Sequence, residues 1–323
     1  MAEADSGQTT GLARYFLTIA SSLRYSGASI SAVPKGMRMG LVKSTYAGSW
    51  YPATAKQIES KLAEFKEKVE RPRRLKKPPS AGVVPHAGWL YSGAIAYDVW
   101  VNLAERDPDL VVLFGGHMHQ YQRSLIFADE GFMTPLGPIE THQQLLQGLT
   151  SAFRFRLADE TTWQPDTTIE VQLPMIRHLM PRAKILVLHL PPRDIILDVV
   201  DLIMEFVRRY DLNTIFVGST DLTHYGKRYR FEPYGAGEKA HRWAKNENDM
   251  LFINRLLSLD PQGCLEEGLS NYNACCPGAA AAAVTAARLT GSEYGELLTH
   301  LTSYEVVPIG EPTDFVGYCS VVF

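Results

Sequence analysis

The stretch VVPHAGWLYSG, residues Val83–Gly93, sets a histidine between a short apolar run and a glycine-containing turn. The run Gly82–Val84 predicts a buried strand, and Pro85 ends it because proline cannot donate a hydrogen bond to a sheet ladder. A helical pattern begins near Ala94, so His86 falls on the connection from a strand to a helix. In an α/β fold this connection is where ligands bind. Taken alone, however, a histidine with a structural role in a loop is the simpler interpretation.

Two later apolar runs end in polar side chains in the same way. The runs and the polar residues that follow them are Leu110–Phe114 with His117 and His119, and Thr214–Gly218 with Asp221 and His224. The carboxyl ends of parallel strands share one edge of a sheet. We therefore expect these side chains to converge with His86, although they lie far apart in the sequence.

Cys275 is a fourth candidate, because it precedes a glycine-marked helix start where the helix dipole favours a thiolate. Two imidazoles with one thiolate or carboxylate form a three-ligand set, which leaves coordination positions open as catalytic metal sites do. Such donors suit Fe, Zn or Cu. Their separation in the sequence is not a specific motif, so four unrelated loop residues remain an alternative to a metal site.

The order of the elements predicts an α/β fold. Apolar strand-like runs alternate with helical patterns at residues 55–70, 94–103, 194–209 and 238–257. This alternation indicates a mostly parallel sheet with helices on both faces. Residues 1–40 are rich in Ser, Gly and Ala and predict a flexible N-terminal extension. Residues 41–323 predict a single α/β domain.

Composition narrows the class of protein. The chain has 323 residues and a net charge of −3, which argues against a nucleic-acid surface because phosphate contacts need clustered Lys and Arg. The densest basic run, 71–77, lies in a Pro-rich linker. Four cysteines, two of them adjacent, do not form a disulfide framework, so we expect a reducing, cytoplasmic setting. No apolar run reaches the length of a membrane span, so we expect no membrane partner.

Five stretches resemble the Memo family, which includes protein B of the bacterial and archaeal AmmeMemoRadiSam system. They are AGSWY at 47–51, PHAG at 85–88, IEVQLP at 169–174, STDLTHYG at 219–226 and the segment around Cys275. The resemblance runs in the same order from Thr45 to Phe323. It implies a fold similar to the class III extradiol dioxygenases of the LigB type, a three-layer α/β/α sandwich with a mostly parallel central sheet.

Carried over residue by residue, the resemblance assigns His86, His117 and Cys275 as metal ligands. The family's strand-end Gly-Pro-x-His corresponds to residues 114–117, where the histidine is kept and the proline is lost. This departure leaves His119 as a competing ligand. Cys276 and the proline after it replace the usual residues that follow the ligand cysteine, and we expect Cys276 to pack rather than to ligate.

Three residues are candidates for catalysis. His224 and Asp221 match the family's Ser-Asp-x-x-His segment, and Glu170 matches its Ile-Glu. His224 is the expected general acid or base, because imidazole exchanges protons near neutral pH. Asp221 is expected to orient a histidine or to cap a turn, and Glu170 to bind substrate or to stabilise a helix start at an N-cap on Thr168. Thr167 stands where many members carry a histidine, which puts a proton-transfer role there in doubt.

The resemblance implies an Fe(II)-dependent, dioxygenase-like oxidoreductase acting on a small substrate, for which an aromatic compound is one option, with Cu and Zn as alternative metals. Two observations keep other functions open. The third ligand is a cysteine, where the dioxygenases use a carboxylate, and animal members are associated with signalling. The alternatives are a metal- or peptide-binding module with a vestigial site and, third, a zinc-dependent hydrolase. The expected partners are a small-molecule substrate and a radical-SAM protein.

Overall fold

Short, wholly buried strands form the centre of the molecule in the computed structural model, which describes residues 40–69, 75 and 77–323. The strands Ala81–Val84, Leu110–Gly115 and Thr214–Ser219 are buried along their whole length. Strands that are buried on both sides read as continuous apolar runs and belong to parallel sheets covered by helices. The parallel sheet was predicted from these same three apolar runs of the sequence.

Twelve strands lie within the described residues. They are β1 (Leu41–Val42), β2 (Ala81–Val84), β3 (Leu110–Gly115), β4 (Leu125–Phe127), β5 (Gly131–Thr134), β6 (Gly137–Glu140), β7 (Arg156–Ala158), β8 (Lys184–His189), β9 (Thr214–Ser219), β10 (His224–Tyr225), β11 (Glu296–Thr302) and β12 (Phe315–Val322). Strands β1, β5 and β6 form a small separate sheet, and the other nine form the central one.

The central sheet has the order β10-β12-β2-β9-β3-β8-β4-β7, with β11 paired to β12. Its four middle strands, β2, β9, β3 and β8, are mutually parallel. Antiparallel pairs flank them, β12 on β2 and β4 on β8. The sheet is therefore parallel where the candidate ligands lie and mixed at its margins.

Helices cover both faces of this sheet. They are α1 (Ala55–Lys66), α2 (Ala94–Leu103), α3 (Gln143–Ala152), α4 (Thr167–Glu170), α5 (Leu173–Leu179), α6 (Ile195–Arg209), α7 (Glu238–Trp243), α8 (Asp249–Leu257), α9 (Pro261–Asn271), α10 (Pro277–Leu289) and α11 (Ser303–Val306). A Cβ added at Gly82 would overlap Val99 of α2, whereas one at Gly218 would overlap Ala279 of α10. Gly82 pairs with Val217, the residue before Gly218, so α2 and α10 lie on opposite faces. The expected three-layer α/β/α fold is confirmed.

Several local predictions were wrong at element boundaries. The helix predicted over 238–257 is interrupted by a π-helical segment at Ala244–Asn248. The expected N-cap on Thr168 is instead Asp166, whose carboxylate accepts a hydrogen bond from the Thr168 N–H at 2.8 Å. This cap places Thr168 inside the helix.

Most of the predicted N-terminal extension, residues 1–40, lies outside the described residues, as does most of the basic linker. Within the described part of the chain, none of the helices combines the length and the apolar character needed to cross a bilayer.

Candidate metal centre and adjoining cavities

The candidate ligands come together at the carboxyl edge of the four parallel strands. His86 follows β2, His117 follows β3, and Asp221 follows β9. Cys275 reaches the same edge from the loop that precedes α10. One ring nitrogen from each of the two histidines and the sulfurs of Cys275 and Cys276 all lie within 4.8 Å of one another. The convergence expected from the parallel topology is therefore present.

The two imidazoles and Cys275 are in mutual reach. His86 Nε2 lies 3.3 Å from the Cys275 sulfur, and the His86 and His117 rings meet edge to face with centroids 5.1 Å apart. His119 does not join this group; its exposed ring accepts a hydrogen bond from the Tyr121 N–H and stacks on the Tyr121 ring. Of the two histidines that the sequence left in competition, the structure brings His117 to the cluster.

His86 is held from two sides. Its backbone N–H donates to Asp221 Oδ1 at 2.7 Å, and its ring Nδ1 lies 3.1 Å from the Ser219 hydroxyl. Nε2 is thereby turned towards Cys275. A ligand histidine commonly hydrogen-bonds through its other ring nitrogen, which fixes the ring orientation and the tautomer. Ser219 takes this role here, while Asp221 positions His86 through the main chain.

Cys275 has the electrostatics of a thiolate. Burial raises its pKa, but hydrogen bonding to Cys276 and the nearby His86 and His117 rings lower the pKa well below the usual value for a thiol. The Asp221 N–H also donates to the Cys275 sulfur at 3.2 Å. The sequence predicted a thiolate here from the helix dipole alone, and the structure adds two imidazoles and a backbone amide.

The same interactions that lower the pKa of Cys275 raise the pKa values of the two histidines. Burial lowers the pKa of His86, but Asp221 and Cys275 outweigh it and raise the pKa to about 10. A hydrogen bond to Cys275 also raises the pKa of His117, against the effect of burial. In the absence of a metal, these pKa shifts favour protonated imidazoles and a negatively charged Cys275 sulfur.

Beside the cluster lies a cavity of about 680 Å³, lined by His86, His117, Asp221 and His224. Its wall also carries the aromatic rings of Trp50, Tyr91, Tyr229, Tyr304 and Tyr318. The His224 ring packs edge to face on Tyr229 with centroids 5.0 Å apart. His224 Nδ1 lies 3.2 Å from the Leu222 carbonyl oxygen, which only accepts, so this nitrogen carries the proton and Nε2 keeps a lone pair in the neutral ring.

Glu170 is not brought to this cavity, in contrast to its predicted role at the site. Its buried Oε1 accepts hydrogen bonds from the backbone N–H groups of Thr45 and Tyr46 at 2.8 and 2.7 Å, and from the Tyr51 hydroxyl at 2.9 Å. All three donors belong to the segment that precedes α1. We therefore assign Glu170 to anchoring that segment.

His189 is not among the predicted site residues, yet it lies next to the site. It ends β8, and it lines a second cavity of about 370 Å³ that shares His117 and Thr167 with the first. Its Nε2 lies 3.2 Å from Asp166 Oδ2, and burial lowers the pKa of the ring. The signal was present in the sequence, because His189 closes the apolar run Ile185–Leu188 just as His86 and His117 follow theirs.

Gly116 shapes the turn that carries His117. Its φ of +83° lies in the left-handed region, where glycine is favoured, and an added Cβ would overlap the His189 ring. The Gly116 N–H donates to the Thr168 hydroxyl at 2.8 Å, which ties the turn to α4. The family's proline corresponds to Gly115 here, and the turn at Gly116 carries the chain from β3 to His117.

Fold and site together define an α/β/α sandwich with a histidine–cysteine cluster at the carboxyl edge of its parallel strands. The sequence model of the family described as Memo-like protein matches residues 43–322, nearly the whole described chain. The chain belongs to this Memo family.

Relatives in archaea cover almost the same length. A protein named MEMO1 family protein from Thermococcus onnurineus is 31% identical over 289 residues, which covers 86% of this chain and 97% of the relative. A MEMO1 family protein from Thermococcus kodakarensis is 32% identical over 290 residues, which covers 86% of this chain and 97% of that relative. A solved structure of an uncharacterized Escherichia coli K12 protein aligns over 75% of this chain and 98% of its own, with 13% identity and a TM-score of 0.48.

Proposed function

We propose that this chain is a metal-dependent oxidoreductase with a mononuclear non-haem iron centre, acting on a small aromatic substrate. The observation that carries the proposal is the His86, His117 and Cys275 cluster beside a cavity of about 680 Å³. A reactive group without an adjoining cavity would have no room for substrate, and a cavity without ligand side chains would have no chemistry of this kind.

The donor set fits a divalent transition metal. Imidazole nitrogen and thiolate sulfur suit Fe(II), Zn(II) or copper, and three protein ligands leave positions open for exchangeable ones. With metal–nitrogen bonds of about 2.0 Å and metal–sulfur bonds of about 2.3 Å, tetrahedral ligands lie about 3.6 Å apart. The 3.3 Å between His86 Nε2 and the Cys275 sulfur is within a few tenths of an ångström of this spacing. Fe(II) would supply the redox chemistry and open positions that O₂-dependent oxidation requires.

The chain's own residues provide proton transfer and orientation. His224 lines the cavity with a free Nε2 lone pair and can accept a proton from a substrate hydroxyl. The Asp221 carboxylate accepts a hydrogen bond from the backbone N–H of His86 and so fixes the position of His86 relative to the end of β9. We therefore assign His224 as the general base and Asp221 as a positioning residue.

The cavity wall favours an aromatic substrate. Five aromatic side chains face it, and burial raises the pKa of the Tyr229 and Tyr318 phenols, which stay neutral hydrogen-bond donors. Flat aromatic walls with a few donors recognise a planar ring that carries hydroxyl groups.

The test is anaerobic purification with metal analysis, followed by O₂ consumption with a panel of catechols. We expect about one iron per chain and substrate-dependent O₂ uptake. We expect His86→Ala to lose the metal, and we expect His224→Ala to keep the metal and to lose turnover. His119→Ala is the matched control and keeps both. Full metal occupancy in His86→Ala would reject the ligand assignment.

A non-catalytic binding module is a second candidate, favoured by the rim of the same cavity. Leu90 and Ile309 line it, although they are 65% and 78% exposed. Exposed apolar side chains around a cleft are typical of surfaces that bind a partner. Iron that binds without any O₂ uptake, together with saturable binding of apolar peptides, would favour this function. Zinc in the purified protein, with hydrolytic activity, would favour the third candidate, a hydrolase.

A further inference from the structure

The Cys276 sulfur belongs to the same group of ligand atoms as the three expected ligands. Its sulfur is 3.8 Å from that of Cys275, and both sulfurs belong to the group whose ligand atoms are all within 4.8 Å of one another. In a tetrahedron with metal–sulfur bonds of about 2.3 Å, two sulfur ligands lie about 3.8 Å apart. The two thiols therefore already have the spacing of two ligands on one metal ion.

The backbone holds the cysteine pair in this position. The Cys276 N–H donates to the Thr220 hydroxyl at 3.0 Å, and the Cys275 N–H donates to the Asp221 carbonyl at 3.1 Å. Both anchors belong to the turn after β9. Cys276 itself is only 2% exposed, so its sulfur is fixed beside the cluster and has no solvent-facing alternative.

We propose that Cys276 is a fourth protein ligand, so that the metal rests in a His86, His117, Cys275 and Cys276 site that prefers thiophilic ions. This inference rests on the proposed metal function. Of the four residues, only the two histidines line the large cavity. The two sulfurs would then lie on the side of the metal away from the cavity, and an exchangeable ligand would enter from the cavity side as a fifth ligand.

The other two cysteines provide matched controls. Cys264 and Cys319 are buried like Cys276 but lie outside the cluster. A loss of ligation in Cys276→Ala that is absent in Cys319→Ala would therefore separate coordination from the general cost of truncating a buried thiol.

The test is X-ray absorption spectroscopy of the Zn(II)-loaded full chain, with Co(II)-loaded protein as an optical probe of sulfur ligation. We expect two sulfur and two nitrogen ligands per metal in the wild-type protein, and one sulfur in Cys276→Ala and Cys276→Ser. We also expect the sulfur-to-cobalt absorption to fall by about half, and the affinity to fall at least about 10-fold, as for lost metal-supporting groups. The Cys319→Ala control keeps two sulfurs.

One sulfur in the wild-type site, unchanged in the variants, would overturn the inference while leaving the proposed function intact. A wild-type protein that binds no metal, or a His86→Ala variant that keeps it, would reject the metal function and Cys276 ligation together. Because the decisive count is made on the wild-type protein, a variant that fails to fold does not remove the test.

Discussion

Cys275 is the residue whose chemistry depends most on its neighbours. Its sulfur meets His86 Nε2 at 3.3 Å and the Asp221 N–H at 3.2 Å, so the negative charge is paired in the metal-free protein. The adjacent Cys276 shows the opposite effect, because burial and the Cys275 charge raise the pKa of its thiol. The pKa values of these two consecutive cysteines are therefore shifted in opposite directions.

This difference predicts that alkylation of Cys275 depends less on pH than alkylation of an ordinary thiol. In metal-free protein, iodoacetamide should modify Cys275 first, and its rate should fall less between pH 7 and pH 6 than the rate of an ordinary thiol, because the pKa of Cys275 is lowered well below the usual value. An ordinary thiol would slow about tenfold over the same interval. Peptide mapping gives the rates. Cys264 and Cys319, whose pKa values burial raises, are internal controls, and equal modification of all four would contradict the account.

Glu170 shows what a motif match can miss at the scale of one residue. The motif match singled out Glu170. The sequence could not show that its hydrogen-bond donors are Thr45, Tyr46 and Tyr51, which lie more than 100 positions away. His117 is the converse case. Spacing alone could not separate it from His119, and only the Gly116 turn decides which ring reaches the cluster.

Removing the Glu170 carboxylate should cost stability rather than chemistry. We expect Glu170→Ala to lower the free energy of unfolding by about 3 kcal/mol or more, because three donors to a buried charged acceptor lose their partner. Glu170→Gln keeps an acceptor oxygen and should lose less. Urea denaturation measures the effect, with metal content as the second measurement. Wild-type stability with lost turnover would instead restore a catalytic role.

At the scale of elements, strand length decided what could be predicted. The buried runs at β3 and β9 have six residues each and were predicted from sequence. The strands β4 and β7 have three residues each, too few for a periodic pattern to show. The parallel edge that carries the site was therefore predictable, whereas the short strands β4 and β7 and the small second sheet were not.

The close approach of α10 to β9 positions the cysteine loop, and Gly218→Ala should disturb it. The added methyl group would overlap the Ala279 carbonyl oxygen, so α10 must move outwards together with Cys275 and Cys276. We expect a loss of about 1–3 kcal/mol in unfolding free energy, as for overpacked cores, and weaker metal binding. Arg288→Ala, at the exposed end of the same helix, is the control. Unchanged metal affinity in Gly218→Ala would show that the loop does not depend on this packing.

At the scale of the whole molecule, the candidate site lies at the edge of a hydrophobic core whose packing does not depend on a bound metal. Strands β2, β3 and β9 are buried by apolar neighbours on both faces, so the fold should persist without metal. The resemblance anticipated this architecture because it follows from the pattern of strands and helices. The identity of the metal and of the substrate depends on local coordination and on cavity shape, which residue patterns do not determine.

Metal should therefore raise stability without creating structure. At a free metal concentration 100-fold above Kd, binding to the folded state alone adds about 2.7 kcal/mol, seen as a rise in Tm of several degrees. Chelation should reverse the rise while leaving the far-ultraviolet circular dichroism spectrum unchanged. His86→Ala should show no rise, and His119→Ala the full one. Loss of secondary structure on chelation would contradict a preformed scaffold.

The convergence of His86, His117 and Cys275 on one ion is tested most directly by a crystal of anaerobically purified protein, measured on both sides of the metal's absorption edge. The account predicts one anomalous peak within about 2.0–2.4 Å of a ring nitrogen of each histidine and of the Cys275 sulfur. A peak bound at His119 or elsewhere, with these three side chains unligated, would contradict it.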